Sequence, residues 1–385
     1  MAETSPRPAG SRTRLTGPHA RLAGPVRVVG AGLLGASVGL GLRAHGVEVI
    51  LDDASPSGLR LAVDYGAGRL AAADDRPQLI VVAVPPDRTA EVVAAELAAH
   101  PDAVVTDVAS VKAPIAAELA ARLAAAGGTD DGGLPARYVG SHPLAGRERG
   151  GAISARADLF MGRPWVVCRR DGVDAAAARV VESLILDLGA SPVELPADAH
   201  DAAVALVSHA PQLVSSLMAK RLVEAPDAAL GLAGQGVRDV TRIASSDPQL
   251  WVQILGANGP AVAGILRDLR DDLDTVVAAL ADPDAAGARR TLATELAAGN
   301  AGVARLPGKH GQDRRYASVV VLVDDRPGEL GRLLTELGEI DVNMEDLRLE
   351  HSPGAQVGLA EIAVLPQVRQ RAVDELAARG WRIAG

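Results

Sequence analysis

One short run constrains this chain more than any other: Gly30-Ala31-Gly32-Leu33-Leu34-Gly35. It follows the apolar run 26–29 and opens an apolar stretch of helical character that reaches about residue 44. Gly30 permits a tight turn there, Gly32 lets the backbone approach a pyrophosphate, and Gly35 lets helix and strand pack closely. The helix N-terminus adds partial positive charge. In a dinucleotide-binding unit of this kind the second strand ends on an acid about 20 residues further on, which bonds the ribose 2′-hydroxyl. Residues 47–51 form a second apolar run, and Asp52 and Asp53 close it. An acid disfavours a 2′-phosphate, so NAD is the expected cofactor, with Arg60 near enough in sequence to leave NADP open. The competing reading is an ordinary glycine-rich turn.

The same texture continues downstream. Residues 78–84 form an apolar run closed by Pro85-Pro86, and 104–108 another closed by Ala109-Ser110; 138–140 and 165–168 are shorter candidates. Alanine-rich segments of helical spacing, such as 89–99 and 114–125, lie between them, and a pair at 175–188 and 192–195 ends the series. Strands alternating with helices predict a parallel sheet, hence a Rossmann-type α/β domain over 25–196. Val84 and Pro85, at the end of the third run, join the cofactor candidates with Gly30, Gly32, Leu33, Leu34, Gly35, Asp52 and Asp53.

Over 197–300 the apolar period is helical throughout, as in Ile265, Leu269, Leu273, Val276 and Leu280. This predicts an all-α domain whose apolar faces need a partner, and a homodimer supplies one. Residues 301–315 are glycine-rich and polar, a linker. Residues 316–385 give strands at 318–323, 344–350, 357–364 and 381–384, with helices at 328–337 and 368–378. That βαββαβ order is the split βαβ of a ferredoxin-like fold. Residues 1–24, rich in Pro, Gly, Arg and Ser, read as a disordered tail.

Composition narrows the function classes. At roughly 150 residues per domain, 385 residues make two or three domains. The net charge of -9 argues against a general nucleic-acid surface. Aromatics are 2 %, so the core is aliphatic and no base-stacking platform is available. The single cysteine, Cys168, allows no intrachain disulfide and no cysteine-based zinc site, and no metal is expected. Residues 1–24 hold no apolar h-region. The run 28–42 is short and glycine-rich, and 202–219 contains His209, Pro211, Gln212 and three serines, so neither reads as a membrane span. The expected location is cytoplasmic. Within 316–385 seven arginines face twelve acids, which argues against a phosphate or RNA ligand for that module.

Three further constellations carry chemistry. Asp107-Val108-Ala109-Ser110-Val111-Lys112 sits at the carboxyl end of a strand, where Ser110 either bonds a nicotinamide or substrate or caps a helix. Gly140-Ser141-His142-Pro143-Leu144-Ala145-Gly146 follows a short strand, with Arg147, Glu148 and Arg149 after it. His142 there suits accepting a proton from an alcohol, the alternative being a loop histidine bonded to backbone. Arg238 and Arg242 are four apart, so on a helix they share a face and can clamp a dicarboxylate; a solvated helix with an Arg–Asp pair is the alternative. Asp247-Pro248 starts another helix, which holds Trp251. His200 and His209 lack an acidic partner at metal-ligand spacing, and Cys168 reads as a small buried hydrophobe.

These pieces in this order resemble the TyrA family of prephenate/arogenate dehydrogenases: GAGLLG, VVAVPP, DVASVK, SHPLAGRERGG, LFMGRPW, HDAAVALVSHAPQ and RDVTRIASSDPQLW, over about residues 25–280. The last 70 or so residues resemble an ACT domain, an amino-acid-sensing module, through Val323-Asp324-Asp325-Arg326-Pro327-Gly328-Glu329-Leu330. The resemblance implies hydride transfer from C4 of prephenate to NAD+ with loss of CO2. By the family pattern His142 accepts the 4-hydroxyl proton, Ser110 holds His142, the hydroxyl or the nicotinamide, and Arg242 binds a substrate carboxylate. Arg238, Gln212, Glu148, Trp251 and His209 fall at substrate-binding positions, Glu148 at that of a mobile gate. Relatives specific for prephenate often read S-H-x-P-H, whereas this chain has Ser208-His209-Ala210-Pro211-Gln212. Gln212 therefore opens arogenate as substrate, alone or in addition.

The ACT-like tail implies feedback by tyrosine near Asp325, Pro327, Gly328 and Leu330, the alternative being a module that only packs or dimerises. Two rivals are weaker. A 3-hydroxyacid dehydrogenase would carry a lysine followed four residues on by asparagine, but Lys112, Lys220 and Lys309 are followed by Ala116, Glu224 and Asp313. A non-catalytic NAD- and amino-acid-binding regulator leaves His142 and Arg242 without a task.

Overall fold

The computed structural model describes residues 20–127, 133–147, 150–306, 316–351 and 357–384. Residues 1–19 of the expected tail, 307–315 of the expected linker, and Glu148 lie outside them. Contacts divide the chain into two units, one of residues up to 221 with 241–267, the other of 222–240 with 268–385.

In the first unit the chain alternates β1 (Val26–Val29), α1 (Leu33–Ala44), β2 (Val49–Asp52), α2 (Pro56–Asp64), β3 (Arg69–Leu70), β4 (Leu79–Val82), α3 (Pro86–Ala99), β5 (Val104–Asp107), α4 (Ala113–Ala125), β6 (Tyr138–Pro143), β7 (Pro164–Cys168), α5 (Ala175–Asp187) and β8 (Ser191–Glu194). Strand β4 is buried at all four residues, as a central strand covered on both faces must be. Two apolar clusters cover the sheet, one around Val28, Leu51, Val81 and Trp165, the other around Ile80, Val82, Val105 and Leu119. The sheet order is β3-β2-β1-β4-β5-β6-β7-β8.

One expectation fails: the sheet is not wholly parallel. Strand β7 runs antiparallel to β6, pairing His142 with Val166, and β8 then runs parallel to β7. A parallel neighbour needs a crossover, usually a helix. Between Pro143 and Pro164 the described chain holds only the short 3-10 turn Ala152–Ser154, so the chain returns from the end it left. Helix α5 restores the crossover before β8.

The described chain begins five residues before the boundary expected at Pro25. Leu22 is buried, and the backbone N–H groups of Arg21 and Leu22 donate to the Asp187 carboxylate at 2.9–3.0 Å. Residues 20–24 are thus anchored, a correction to the tail drawn through 24.

The next segment contains no strand among the described residues, as its period requires. It comprises α6 (Ala197–Val204), a π-helical turn (Ala205–His209), α7 (Ala210–Lys220), α8 (Asp227–Leu230), α9 (Gln235–Thr241), a 3-10 turn (Arg242–Ala244), α10 (Pro248–Ala257), α11 (Gly259–Ala281) and α12 (Ala288–Val303). Helix α10 starts where Asp247-Pro248 placed it, with the Asp247 carboxylate accepting from Gln249 N–H. Helix α12 extends into the stretch read as linker. The run 197–220 is long and apolar enough to cross a membrane by length alone, yet its His200, Asp201 and His209 are buried within the first unit.

The second unit ends in β9 (Ala317–Asp324), α13 (Glu329–Glu339), β10 (Asp346–His351), β11 (Val357–Val364), α14 (Pro366–Ala378) and β12 (Arg382–Ala384). Its antiparallel sheet has the order β10-β11-β9-β12, as a split βαβ requires. Val319, Val321 and Val323 alternate inward from β9 onto Leu333, Leu337, Ala372 and Leu376.

Candidate active site

Open α/β sheets bind ligands beyond the carboxyl ends of their strands, where the strand order reverses. Here that point lies between β1 and β4. Gly30 has φ +101°, and a Cβ on it would lie 2.4 Å from the Ala83 carbonyl oxygen. A Cβ on Gly35 would lie 1.8 Å from the Gly30 oxygen, so only glycine lets α1 pack this close. A Cβ on Gly32 would meet nothing within 4 Å: its side is open, as a pyrophosphate cradle needs. No side chain caps α1, so its first N–H groups, beside Leu33 and Leu34, remain available to an anion. Val84 and Pro85 follow β4 on the other wall.

The two acids at the end of β2 differ. Asp52 pairs with Arg27, which also binds Glu96. Asp53 faces the glycine turn, its Oδ2 accepting from Ala31 N–H at 2.6 Å.

His142 lies within β6 rather than after the strand as expected, because the strand continues through Pro143. Strand alternation sends its neighbour Ser141 the other way. The Ser141 hydroxyl donates to the Asp107 carbonyl at 2.9 Å and accepts from Trp165 Nε1–H at 3.1 Å. Lys112 Nζ donates to Asp107 Oδ1 and to the Ser141 carbonyl, and Tyr138 donates to Asp107 Oδ2 at 2.8 Å. This buried ion pair forms a rigid floor beneath the strand end. Burial and the Asp107 charge push the Tyr138 phenol well above its usual range, and burial raises the Cys168 thiol to about 12, leaving it inert.

His142 Nδ1 lies 2.8 Å from His200 Nε2, with the two rings edge to face. Burial, reinforced by His200, Lys112 and His209, holds the His142 imidazole well below its ordinary 6.5. It is therefore neutral at pH 7 and able to accept a proton. Ser110 is half-buried and its hydroxyl bonds nothing among the described residues. It does not cap α4. The Asp201 carboxylate does so from α6, accepting Lys112 N–H and Ala113 N–H at 2.9 Å each. The partner of His142 is thus His200, not Ser110.

In a regular α-helix, residues nine apart lie roughly half a turn from one another. His200 and His209 are nevertheless both buried. The π-helical turn between them inserts a residue, with Ala210 N–H bonding the Ala205 carbonyl, and so rotates His209 back toward the His200 side. Pro211, lacking an N–H, follows directly. Asn258, which caps the end of α10, donates through Nδ2 to the Asp201 carbonyl at 2.8 Å and to His209 Nδ1 at 3.1 Å. Trp251 packs edge to face on His209 at 6.0 Å, so it backs that ring. Burial pulls His209 down to about 4. Gln212 is buried one turn further on, its amide without a hydrogen-bond partner among the described residues.

The expected arginine clamp is not a single helix face. Helix α9 ends at Thr241 and Arg242 opens a 3-10 turn, because the chain turns there toward α10. That turn packs against α7, the helix of Gln212. Arg242 is exposed and has no carboxylate partner among the described residues; Arg238 is exposed and falls in the second unit. Asp325, Pro327 and Gly328 form the exposed turn between β9 and α13, with Gly328 at φ +93°, and Leu330 reaches toward the module's core. A hollow of about 500 Å³ lined by Tyr316, Ser318, Glu345 and Arg348 opens at the other end of that sheet.

Sequence reasoning missed His200, Asp201 and Asn258. The available signal was an adjacent His-Asp pair inside an otherwise alanine- and valine-rich helix.

Two family models match the chain: the nucleotide-binding domain of prephenate dehydrogenase over residues 38–194, and its dimerization domain over 196–294. A curated relative, "Probable prephenate dehydrogenase NovF" of Streptomyces niveus, is 37 % identical over 362 residues, covering 92 % of this chain and 98 % of its own. Synechocystis arogenate dehydrogenase superposes with a TM-score of 0.57 at 26 % identity, over 72 % of this chain and 99 % of that one. The prephenate dehydrogenase of A. aeolicus, solved with hydroxyphenyl propionate and NAD+, shares the fold at a TM-score of 0.62 and 24 % identity, over 73 % and 99 %.

Proposed function

The chain belongs to the prephenate dehydrogenase family, and on that premise we propose that it converts prephenate and NAD+ to 4-hydroxyphenylpyruvate, CO2 and NADH, with the proton of the substrate hydroxyl passing to His142. The observation that carries the assignment of roles is the place of His142, in contact with His200, on the carboxyl rim of the sheet whose β1–α1 turn forms the dinucleotide cradle. Gly30, Gly32 and Gly35 fit a pyrophosphate, and Asp53 faces the same turn to bind a ribose. NAD+ bound there supplies the hydride acceptor. His142 Nε2 takes the proton of the 4-hydroxyl, which favours loss of hydride from the same carbon. Ser110, its hydroxyl without a partner among the described residues, donates to the substrate or the nicotinamide. Arg242 binds a substrate carboxylate. Loss of CO2 from the ring aromatises the product.

Arogenate is the second reading, favoured by one observation. The Gln212 amide, without a hydrogen-bond partner among the described residues, both donates and accepts and so suits an amino-acid side chain as well as a keto acid. The C-terminal module serves as an ACT domain that binds tyrosine at the Asp325–Leu330 turn. Its βαββαβ order and sheet topology support that reading. Exposed Leu206, Val207, Leu217 and Met218 on the helical segment, together with the dimerization-domain match, support a homodimer. One buried cysteine fits a reducing compartment such as the cytoplasm.

The test is reduction of NAD+ and NADP+ by the purified chain with prephenate and with arogenate, following NADH and CO2, with and without tyrosine. Turnover of prephenate with NAD+ is expected. Turnover of neither substrate would overturn the assignment.

A further inference from the structure

We propose that His200, oriented by Asp201, is the positioning residue that sets the tautomer of His142 and leaves its Nε2 as the proton acceptor. This deepens the functional reading above and rests on it only for the identity of the substrate. The starting point is the Asp201 carboxylate, which accepts from Lys112 N–H, Ala113 N–H and His200 Nδ1. Both of its oxygens accept backbone N–H groups at the start of α4. An ionised carboxylate only accepts, so His200 Nδ1 carries a proton and donates across the 2.8 Å contact. In the form with a single N–H, which the Asp201 carboxylate holds at Nδ1, His200 Nε2 is a lone pair. The 2.8 Å contact between that lone pair and His142 Nδ1 requires a proton on His142 Nδ1. The lone pair of neutral His142 is then on Nε2.

With His200 in that form, the opposite His142 tautomer would place two lone pairs against each other at 2.8 Å. When Nε2 takes a proton, the new positive charge is shared through Nδ1–H with His200, which has Asp201 behind it. The arrangement follows the logic by which a carboxylate fixes a catalytic histidine elsewhere, here with a second imidazole interposed. His200 is fully buried and Asp201 nearly so, and Asn258 holds the Asp201 carbonyl, so the geometry has little freedom. Among the described residues, three charged or titratable groups face the pair: Asp201 on α6, Lys112 before α4 and His209 on the π-turn. None of them bonds either of the two facing nitrogens.

The decisive measurement is made on the unmodified full-length protein. Nitrogen-15 NMR of histidine-labelled protein, with the signal assigned by its loss in His142→Asn, reports the tautomer directly. A neutral His142 protonated at Nδ1 is expected, and protonation at Nε2 would overturn the proposal. His200→Leu removes the acceptor and should lower kcat about 10- to 100-fold, while KM for substrate and NAD+ stays within about twofold. His200→Gln keeps an acceptor oxygen near the former Nε2 and should recover most of that loss. A His200→Leu kcat within about threefold of the parent would equally refute the proposal. If the parent turns over neither prephenate nor arogenate, the functional reading fails while the tautomer signal still decides this one. Should His200→Leu not fold, the parent spectrum and His200→Gln remain decisive.

Discussion

Asp53 Oδ2 accepts the Ala31 backbone N–H at 2.6 Å, while Asp52, one residue earlier, is held by Arg27. Consecutive residues leaving a strand point to opposite faces, so only one of two adjacent acids can face the cofactor turn. Asp53→Ala is expected to raise KM for NAD+ about 10-fold or more and to narrow the preference over NADP+, since a hydrogen bond to a charged group contributes about 1.5–3 kcal/mol. Asp52→Ala should leave that KM nearly unchanged and lower thermal stability instead, because Arg27 is mostly buried. Steady-state kinetics with both cofactors checks this, and equal effects of the two variants would contradict it.

His142→Asn should lower kcat by about 10²–10⁴, the usual contribution of a general base, with NAD+ affinity unchanged. A fall of less than about tenfold would make His142 a structural residue. The pH profile gives a second check. Because the His142 pKa is lowered from 6.5, the base is already neutral at pH 6.5. The acid limb of kcat/KM should therefore lie below pH 6.5, with a plateau above it, and a limb centred at pH 7 or higher would oppose the assignment.

Acid should destabilise the fold as pH falls from about 6.5 toward 4. His209 titrates at about 4 in the folded chain and near 6.5 when unfolded. Between these values the unfolded state binds the proton and the folded state does not, so stability falls as pH falls, by up to about 1.4 kcal/mol per pH unit for this group. His142 acts in the same direction. Urea unfolding at a series of pH values should show a shallower slope in His209→Gln; an unchanged slope would remove His209 as a source.

Arg242→Gln is expected to raise KM for substrate about 10- to 100-fold with a smaller effect on kcat, the pattern of a binding contact made before the transition state. Among the described residues the exposed guanidinium has no carboxylate to release, so stability should not change. Unchanged KM and kcat would place Arg242 outside the site.

Gln212→His should shift the ratio of kcat/KM for prephenate over arogenate toward prephenate, by about 10-fold, the size of one hydrogen-bond difference. Parallel assays with the two substrates measure the ratio. A shift toward arogenate would reverse the reading of this position.

Much of the architecture was legible because periodicity is local. Strands β1, β2, β4 and β5, and the βαββαβ order of the C-terminal module, follow from runs of period 2 or 3.6 and from glycine, proline and aspartate at their ends. The glycine turn was legible for the same reason, since strand, turn and helix are contiguous. The direction of β7 was not, because it depends on whether the 20-residue connection crosses over the sheet. The proximity of His200 and His209 was hidden by the π-turn, which breaks the phase that a regular helix would keep.

The sequence by itself determined a dinucleotide cradle, a histidine at the end of a sheet strand and a helical segment to meet them, since each is written in neighbouring residues. Tertiary structure decided which groups touch. His142 and His200 are 58 residues apart, and no local pattern links a strand end to a helix face across that distance. Only packing of α6 against α4 and β7 brings Asp201 to the start of α4 and the His200 ring to His142. A hydrogen bond is lost within a fraction of an ångström, so the choice of proton acceptor belongs to the packed fold rather than to the residue types.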